Sequence, residues 1–395
     1  MQAALIHSVP QAMRTMRALG DESIFCDDSY LRESREVLAR IIEGRMQARV
    51  AAHLEGCKTA GIPDRKNGYY KRRLLEGIGD LELKVPRTRT YCPVEILERY
   101  TRRSPRIDRL ILAAFVLGLS TRKVGKALLQ LLGEKISAST VSKVAKQLDA
   151  EVAAWQRRPL KDRYRVLMFD GVVLSRKTGA GATKRPVLVA LGILPDGRKE
   201  IIDFRLAKGE SQNAWEAFLN DLYQRGLSGE NAELIVSDGG KGLLAALPLV
   251  YPRIPTQRCW VHKMRNVLDK CKKTDREEMK RDLRNVMNAT DKPKARSAAR
   301  HFANKWGASY PKAVRCLAAD LDDLFAHYIF KCAKWRKAGR STNAIERCFV
   351  EVRRRTRPMG VMSDRASMSR ILYAVFIGIN QAQGTTTPFP LTHNS

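Results

Sequence analysis

Asp170, Asp238 and Glu346 are the side chains whose type and setting best suit chemistry on a phosphodiester. Asp170 closes the apolar run Val166-Leu167-Met168-Phe169 and precedes Gly171. Asp238 closes Leu234-Ile235-Val236-Ser237 and precedes Gly239-Gly240. Glu346 stands in Ser341-Thr342-Asn343-Ala344-Ile345-Glu346-Arg347, at the start of a strongly basic helix. An acid at a strand end beside a glycine sits on the rim of a sheet, where the backbone can turn and a ligand can approach. Carboxylates of this kind hold Mg²⁺ together with waters and substrate phosphates, and Mn²⁺ can substitute. Two such ions, about 3.5–4 Å apart, activate a water or 3′-hydroxyl and stabilise the leaving oxygen without a covalent protein nucleophile. A strand-end Asp would bridge the ions and the other two acids would flank it. Each acid also has a plainer reading. An Asp-Gly after a strand is often only a turn. Asn343, three residues before Glu346, forms a capping box with it. The box does not compete with metal binding, because the helix dipole keeps a first-turn carboxylate ionised.

Charge points to the same partner class. The 395 residues hold 72 Lys+Arg against 41 Asp+Glu, a formal net charge of +31, with an isoelectric point of about 10.1. Such a chain attracts polyanions in a salt-sensitive way, and nucleic acid is the expected partner. A hydrophobic content of 44% supports packed cores rather than a disordered basic tail. No apolar run approaches the roughly 20 residues of a membrane span, so no membrane partner is expected. The first residues lack a basic segment followed by a long apolar core, so no signal peptide is expected. Eight cysteines are scattered with no Cys-x-x-Cys pair. That indicates neither a disulfide framework nor a zinc ribbon and fits reduced thiols in a cytosol.

Further residues stand near the acids in sequence. Cys259-Trp260-Val261-His262 has the spacing of half a zinc site, but no partner pair completes it, so no zinc is expected. Trp260 is either a base-stacking platform or a core anchor. Residues 331–360 carry 10 basic and 2 acidic residues. On this helix Ile345, Phe349 and Val352 form the buried stripe, which leaves arginines among Arg353, Arg354 and Arg355 to meet phosphates beside Glu346.

The elements that must position these groups follow from periodicity. The first 60 residues read as helical, with Leu31, Val37, Leu38, Ile41, Ile42 and Val50 at helical spacing. Residues 61–103 form a small basic segment, with strands at Asn67–Leu75 and Leu81–Arg87 around Gly77-Ile78-Gly79-Asp80. Residues 104–158 turn helical. A helix opens at Ser120-Thr121-Arg122-Lys123 and runs through about Leu132. A second opens at Ser137 and carries Lys143, with Ser or Thr as cap. The pair reads either as a helix-turn-helix that binds DNA through Arg122, Lys123 and Lys143 or as an ordinary helical hairpin. Residues 164–258 alternate in an α/β layout: strands 164–169, 187–194 and 199–206, helix 212–225, strand 233–237, helix 241–249 and strand 254–258. Asp196-Gly197 marks a hairpin turn. Both aspartates thus fall at strand C-terminal ends, where open α/β sheets bind ligands. Residues 261–340 are helical, with 21 basic against 9 acidic residues, and read as an insertion. The apolar pattern returns over 343–380, and the tail 381–395 reads as loose.

Five ordered blocks between about residues 30 and 380 resemble the Mutator-like transposases of bacterial insertion sequences, the insertion-sequence-256 type with a DDE triad. They are NGYYKRRLLEGIGDLELKVPRTR, LGLSTRKVGKALLQLLGEKISASTVSKVAKQLDAEVAAW, DGRKEIIDFRLAKGESQNAWEAFLNDLYQRGL, QRCWVHKMRNVLD and STNAIERCFVEVRRRTRPMG. The resemblance implies an RNase H-like catalytic core (159–260 and 341–380) interrupted by the all-helical insertion, preceded by a mainly helical DNA-binding region with a helix-turn-helix. It matches Asp170, Asp238 and Glu346 to the triad and Cys259 and His262 to the family's Cys-x-x-His signature. It implies binding of terminal inverted repeats and target DNA, Mg²⁺-dependent cleavage and strand transfer, and at least a homodimer when two ends are paired. The stretch Lys177–Lys184 departs from the pattern as a Gly-rich insertion that lengthens the first hairpin. A nuclease of the same fold and a non-catalytic DNA-binding protein are the rival readings. The helix-turn-helix region argues against the first, and the intact acids argue against the second.

Overall fold

The computed structural model describes residues 28–90, 102–132, 134–178, 181–359 and 364–386. The expected helix before residue 28 and most of the expected loose tail lie outside them. The chain divides into two compact units, ending and starting at Gln147 and Leu148.

The first unit opens with the long helix α1 (Asp28–Thr59). Leu38, Ile42 and Met46 recur on one face and pack on a two-stranded antiparallel hairpin, β1 (Lys66–Glu76) and β2 (Gly79–Thr88). Alternation sends Leu81, Leu83 and Val85 of β2 into this small core. Val37 and Ile41, counted toward the apolar face of α1 in the sequence, are instead more than half exposed. Their flanking partners Leu38 and Ile42 already fill the contact with the hairpin. Three helices follow: α2 (Pro105–Val116), α3 (Thr121–Leu132) and α4 (Ala138–Ala145). Ser137 caps α4 as its residue type predicts, its Oγ accepting the Thr140 N–H at 3.1 Å. Gly125 lets the turn before α4 press onto α3, since a Cβ there would lie 2.2 Å from the Ile136 carbonyl oxygen. Arg122, Lys123 and Lys143 are exposed on these helices.

The second unit opens with α5 (Leu148–Arg157) and is built on a five-stranded sheet. Its strands are β3 (Val166–Thr178), β4 (Gly181–Ile193), β5 (Lys199–Leu206), β6 (Leu234–Ser237) and β7 (Thr256–Arg258), in the order β5-β4-β3-β6-β7. The β5-β4-β3 meander is antiparallel, and β3, β6 and β7 are mutually parallel. The Asp196-Gly197 turn joins β4 to β5 with Gly197 at φ +94°. On one face α6 (Gln212–Gln224) and α7 (Lys241–Val250) cover a core of Leu167, Phe169, Leu188 and Ile235 packed on Trp215, Phe218 and Leu247. The other face carries α14 (Asn343–Thr356) against β3 and α15 (Arg365–Ala382) against β5.

Between β7 and α14 the chain is helical: α8 (Trp260–Leu268), α9 (Arg276–Met287), α10 (Lys292–Trp306), α11 (Pro311–Ala318), α12 (Leu321–Leu324) and α13 (Ala333–Gly339). Met279, Leu283, Val286, Phe302 and Phe325 give it a hydrophobic cluster of its own.

A second sequence expectation changes in this unit. Asp170 does not end its strand. β3 runs on to Thr178, paired with β4 out to Thr178 opposite Gly181. The Gly-rich stretch therefore lengthens the hairpin, as expected, and carries β3 past the acid. The parallel partner β6 stops opposite Phe169, at Ser237.

Candidate active site

The sheet brings the two aspartates level. The parallel pairing of β3 with β6 ends at Phe169 opposite Ser237, and the next residue on each chain is Asp170 and Asp238. Alternation turns Phe169 into the core under α6 and α7, so Asp170 points to the opposite face, where α14 lies. It is 4% exposed. Its Oδ1 accepts the Gly171 N–H at 2.7 Å. Asp238 is half-buried and accepts the Gly240 N–H at 2.9 Å.

Glu346 completes the set from α14. The capping box expected from Asn343 and Glu346 does not form. The cap residue is Thr342, so Glu346 is the fourth helical residue rather than the third. The start of the helix is set from outside: the backbone N–H and the hydroxyl of Thr342 both donate to Cys259 Sγ, at 3.3 and 3.4 Å. Glu346 is thereby free of the cap, and its Oε1 lies 3.5 Å from His262 Nε2.

The electrostatics tie these groups together. Burial, then the charge of Asp238, pushes the Asp170 carboxyl up to about 7, against a lowering from His262, with Glu346 adding to the rise. The Cys259 thiol is the main influence raising His262 to about 9; burial works against it, and Asp170 and Glu346 add to it. His262 Nδ1 is buried and makes no well-aligned hydrogen bond of its own. Burial pushes the Cys259 thiol up, but His262 and Thr342 outweigh it and hold the thiol below its ordinary value. Acids that repel one another and share a cation are a site short of positive charge.

Trp260 is a core anchor. It is fully buried in the cluster of the helical part, and its Nε1–H donates to the Leu324 carbonyl at 2.8 Å. No base can stack on it. Gln257, just before it, donates to the same carbonyl and accepts the His327 N–H at 2.7 Å. Cys259, Trp260 and Gln257 thus fasten three parts of this unit at one point. Cys259 N–H bonds to Ser237 O of β6, and Trp260 N–H to Arg340 O, just before α14.

Of the three arginines, Arg354 and Arg355 both clasp Glu351 one turn back. Arg353 is exposed and meets no carboxylate among the described residues. Two groups escaped the sequence reading. Glu210, in the loop before α6, has its Oε1 2.6 Å from where a Cβ on Gly171 would lie. Burial and then Asp238 raise its pKa, which makes it a fourth acid at the rim. The second is the trio His53, Cys57 and Asp64, whose ligand atoms lie within 4.8 Å of one another in the first unit. Asp64 there accepts from Arg65 N, Thr90 N and His53 Nε2, at 2.8, 3.0 and 3.1 Å, and from the Thr90 hydroxyl. Its lone pairs are spent on tying the loop to the hairpin. His-Cys at four-residue spacing on a helix was the available signal for this trio, and Glu210 had none.

Comparison with known proteins decides the kinship. The family described as "Transposase, Mutator family" matches residues 10–383. The chain belongs to the Mutator family of transposases. Among its relatives, the transposase for insertion sequence element IS256 in transposon Tn4001 of Staphylococcus aureus is 32% identical, over 88% of this chain and 90% of that one. The transposase for element ISRM5 of Rhizobium meliloti is 31% identical over 87% and 86%. That for IS1081 of Mycobacterium tuberculosis is 30% identical over 88% and 86%. This Mutator-family chain therefore spans most of each relative's length. Among its described residues no helix is long and apolar enough to cross a membrane.

Proposed function

We propose that the chain is a DDE transposase that binds the terminal inverted repeats of an insertion sequence and catalyses Mg²⁺-dependent strand cleavage and strand transfer. The observation that carries the reading is the convergence of Asp170, Asp238 and Glu346 in one electrostatic field, two of them level on adjacent parallel strands. The mixed sheet with helices on both faces is read as an RNase H-like core, the helices of 261–340 as its insertion, and α3 with α4 as a helix-turn-helix.

The donor set fits the implied ions. Three carboxylates are hard oxygen ligands of the kind Mg²⁺ takes, and Asp170, raised first by burial and then by the charge of Asp238, would be favoured in its ionised form by a bound cation. Asp170, which feels the charges of both Asp238 and Glu346, would hold the ions together with those two acids. When bound, two Mg²⁺ ions would lower the pKa of the attacking hydroxyl and stabilise the leaving oxygen. The chain's own residues do the rest. Asp170 must give up its proton. Glu346 stands near the N-terminus of α14, where the helix dipole favours negative charge. Arg353, exposed and seven residues beyond Glu346 on α14, would hold a phosphate on the strand being cut. Cys259 and His262 act as organisers: the thiol fixes where α14 begins, and the imidazole fixes the direction of Glu346.

Asp170→Asn, Asp238→Asn and Glu346→Gln each remove a metal ligand and little else. Each abolishes Mg²⁺-dependent cleavage of a repeat-end duplex while end affinity stays within about threefold in a gel-shift assay. Substantial cleavage by any one variant removes that residue from the site.

A further inference from the structure

We infer that the first unit carries a second DNA-contact surface, distinct from the exposed faces of α3 and α4: a basic cleft that grips the phosphate backbone of a duplex. The inference rests on the transposase reading for its partner and on separate residues for its location. A cavity of about 1170 Å³ lies between the β1–β2 hairpin, the segment at Arg102 and Arg103, and the start of α4. Eight Lys or Arg residues line it against two acids, Asp80 and Glu134.

Those two acids are already engaged. Arg73 takes Asp80 at 2.7 Å and lies 3.7 Å from Glu134. Lys71 and Arg103 turn to Glu82 and Asp108, at 2.7 and 2.8 Å. Arg72 has a partner as well, which leaves Arg87, Arg89, Arg102 and Lys135. They are exposed, and among the described residues they meet no carboxylate. Four cations along one cleft with no carboxylate partner among the described residues repel each other, which a fold tolerates where a polyanion supplies the counter-charge.

The wall opposite the hairpin says which polyanion. Ser137 and Thr140, the capped first turn of α4, line the cleft. Backbone N–H groups at a helix start favour a phosphate. Tyr70, 43% exposed, adds a hydroxyl from the hairpin side. Cations spread over three chain segments match a ladder of phosphates better than one small anion. Duplex DNA presents one charge per about 1.7 Å of axis. The cleft thus fixes the register of the helix pair on the duplex, without reading bases itself.

The test uses the full chain and fluorescence anisotropy, with a repeat-end duplex and an unrelated duplex of equal length, titrated over a series of salt concentrations. Arg87, Arg89, Arg102 and Lys135 are changed together to Gln. A control changes four exposed cations of the helical part, Arg281, Arg284, Arg300 and Lys312, to Gln. The cleft variant is expected to weaken both duplexes alike and to reduce the slope of log K on log salt by about 3–4, near 0.9 per lost phosphate contact. Keeping the charge (Arg87, Arg89 and Arg102 to Lys) restores the slope, which separates lost contacts from a damaged fold. Equal losses in the control and cleft variants would overturn the proposal, since net charge alone would explain them. A cleft variant that loses only its preference for the repeat would overturn it too. If the unaltered chain binds neither duplex at low salt, the transposase reading itself falls.

Discussion

At the scale of single residues, the burial of Asp170 beside Asp238 has a pH consequence. Asp170 keeps its proton up to about pH 7 in the metal-free protein, while an unfolded Asp loses it near 3.9. Between those values the folded state binds more protons, so this group's contribution to stability falls as pH rises. Asp170→Asn mimics the protonated form, so its stability advantage over the parent widens from pH 5 to pH 8. His327, lowered to about 4 by burial, works in the opposite direction between pH 4 and 6.5. The comparison of parent with variant cancels it. The same ionisation opens the site to metal. Mg²⁺ therefore raises the parent's Tm more at pH 8 than at pH 6 and raises the Asp170→Asn variant's little at either. A Mg²⁺ shift independent of pH would remove Asp170 from the metal site. The Cys259 thiol gives a second prediction. Its sulfur accepts two bonds from Thr342, so Cys259→Ser costs about 1–2 kcal/mol and changes no metal content. One zinc per chain in the parent, lost in the variant, would replace this organising role with a zinc site.

At the scale of elements, α14 sorts its arginines by partner. Arg354 and Arg355 share Glu351, with Arg354 exposed and the other two partly buried, and solvent-exposed pairs of this kind are worth about 0–1 kcal/mol. Arg353 has no such tie. A charge-assisted bond to phosphate is worth about 1.5–3 kcal/mol, so Arg353→Gln slows cleavage about tenfold or more at saturating protein. Arg354→Gln and Arg355→Gln change it less than about threefold. Equal rates for all three variants would return the arginines to a solvated face. The same helix marks where the sequence stops being legible. Alternation in Leu81-Glu82-Leu83-Lys84-Val85 and the Ser137 cap are local signals, and they gave the hairpin and α4 correctly. The start of α14 is set by Cys259, 83 positions away, so the local Asn343–Glu346 spacing suggested a box one residue out of register. Asp170 closed its apolar run without closing its strand, because pairing with β4 outlasts pairing with β6. Glu210 reaches the rim only through the close approach at Gly171, which no spacing encodes.

At the scale of the whole chain, the division at Gln147 and Leu148 assigns α5 to the second unit, although its sequence continues the helical run before it. Arg370, buried on α15, clasps Asp149 at 2.6 and 2.8 Å. Trp155 packs on Phe204 and Tyr373. A fragment of residues 148–395 therefore melts well above one of residues 159–395, which loses Leu148, Val152 and Trp155 at about 1.5–3 kcal/mol for each buried side chain. Similar Tm values for the two fragments would detach α5 from that unit. The complementary fragment 1–147 keeps salt-sensitive affinity for repeat-end DNA, and its failure to bind at low salt would move end recognition to the remainder. The fastening point at Cys259 also makes the protein its own opening gauge. Cys332 is exposed and Cys316 half-buried, while Cys259 has no accessible surface. An alkylating reagent reaches Cys332 directly, but it reaches Cys259 only when sheet, helical part and α14 come apart. Peptide-resolved labelling of Cys259 thus times that separation, and a bound DNA end that clamps the three parts together slows the clock.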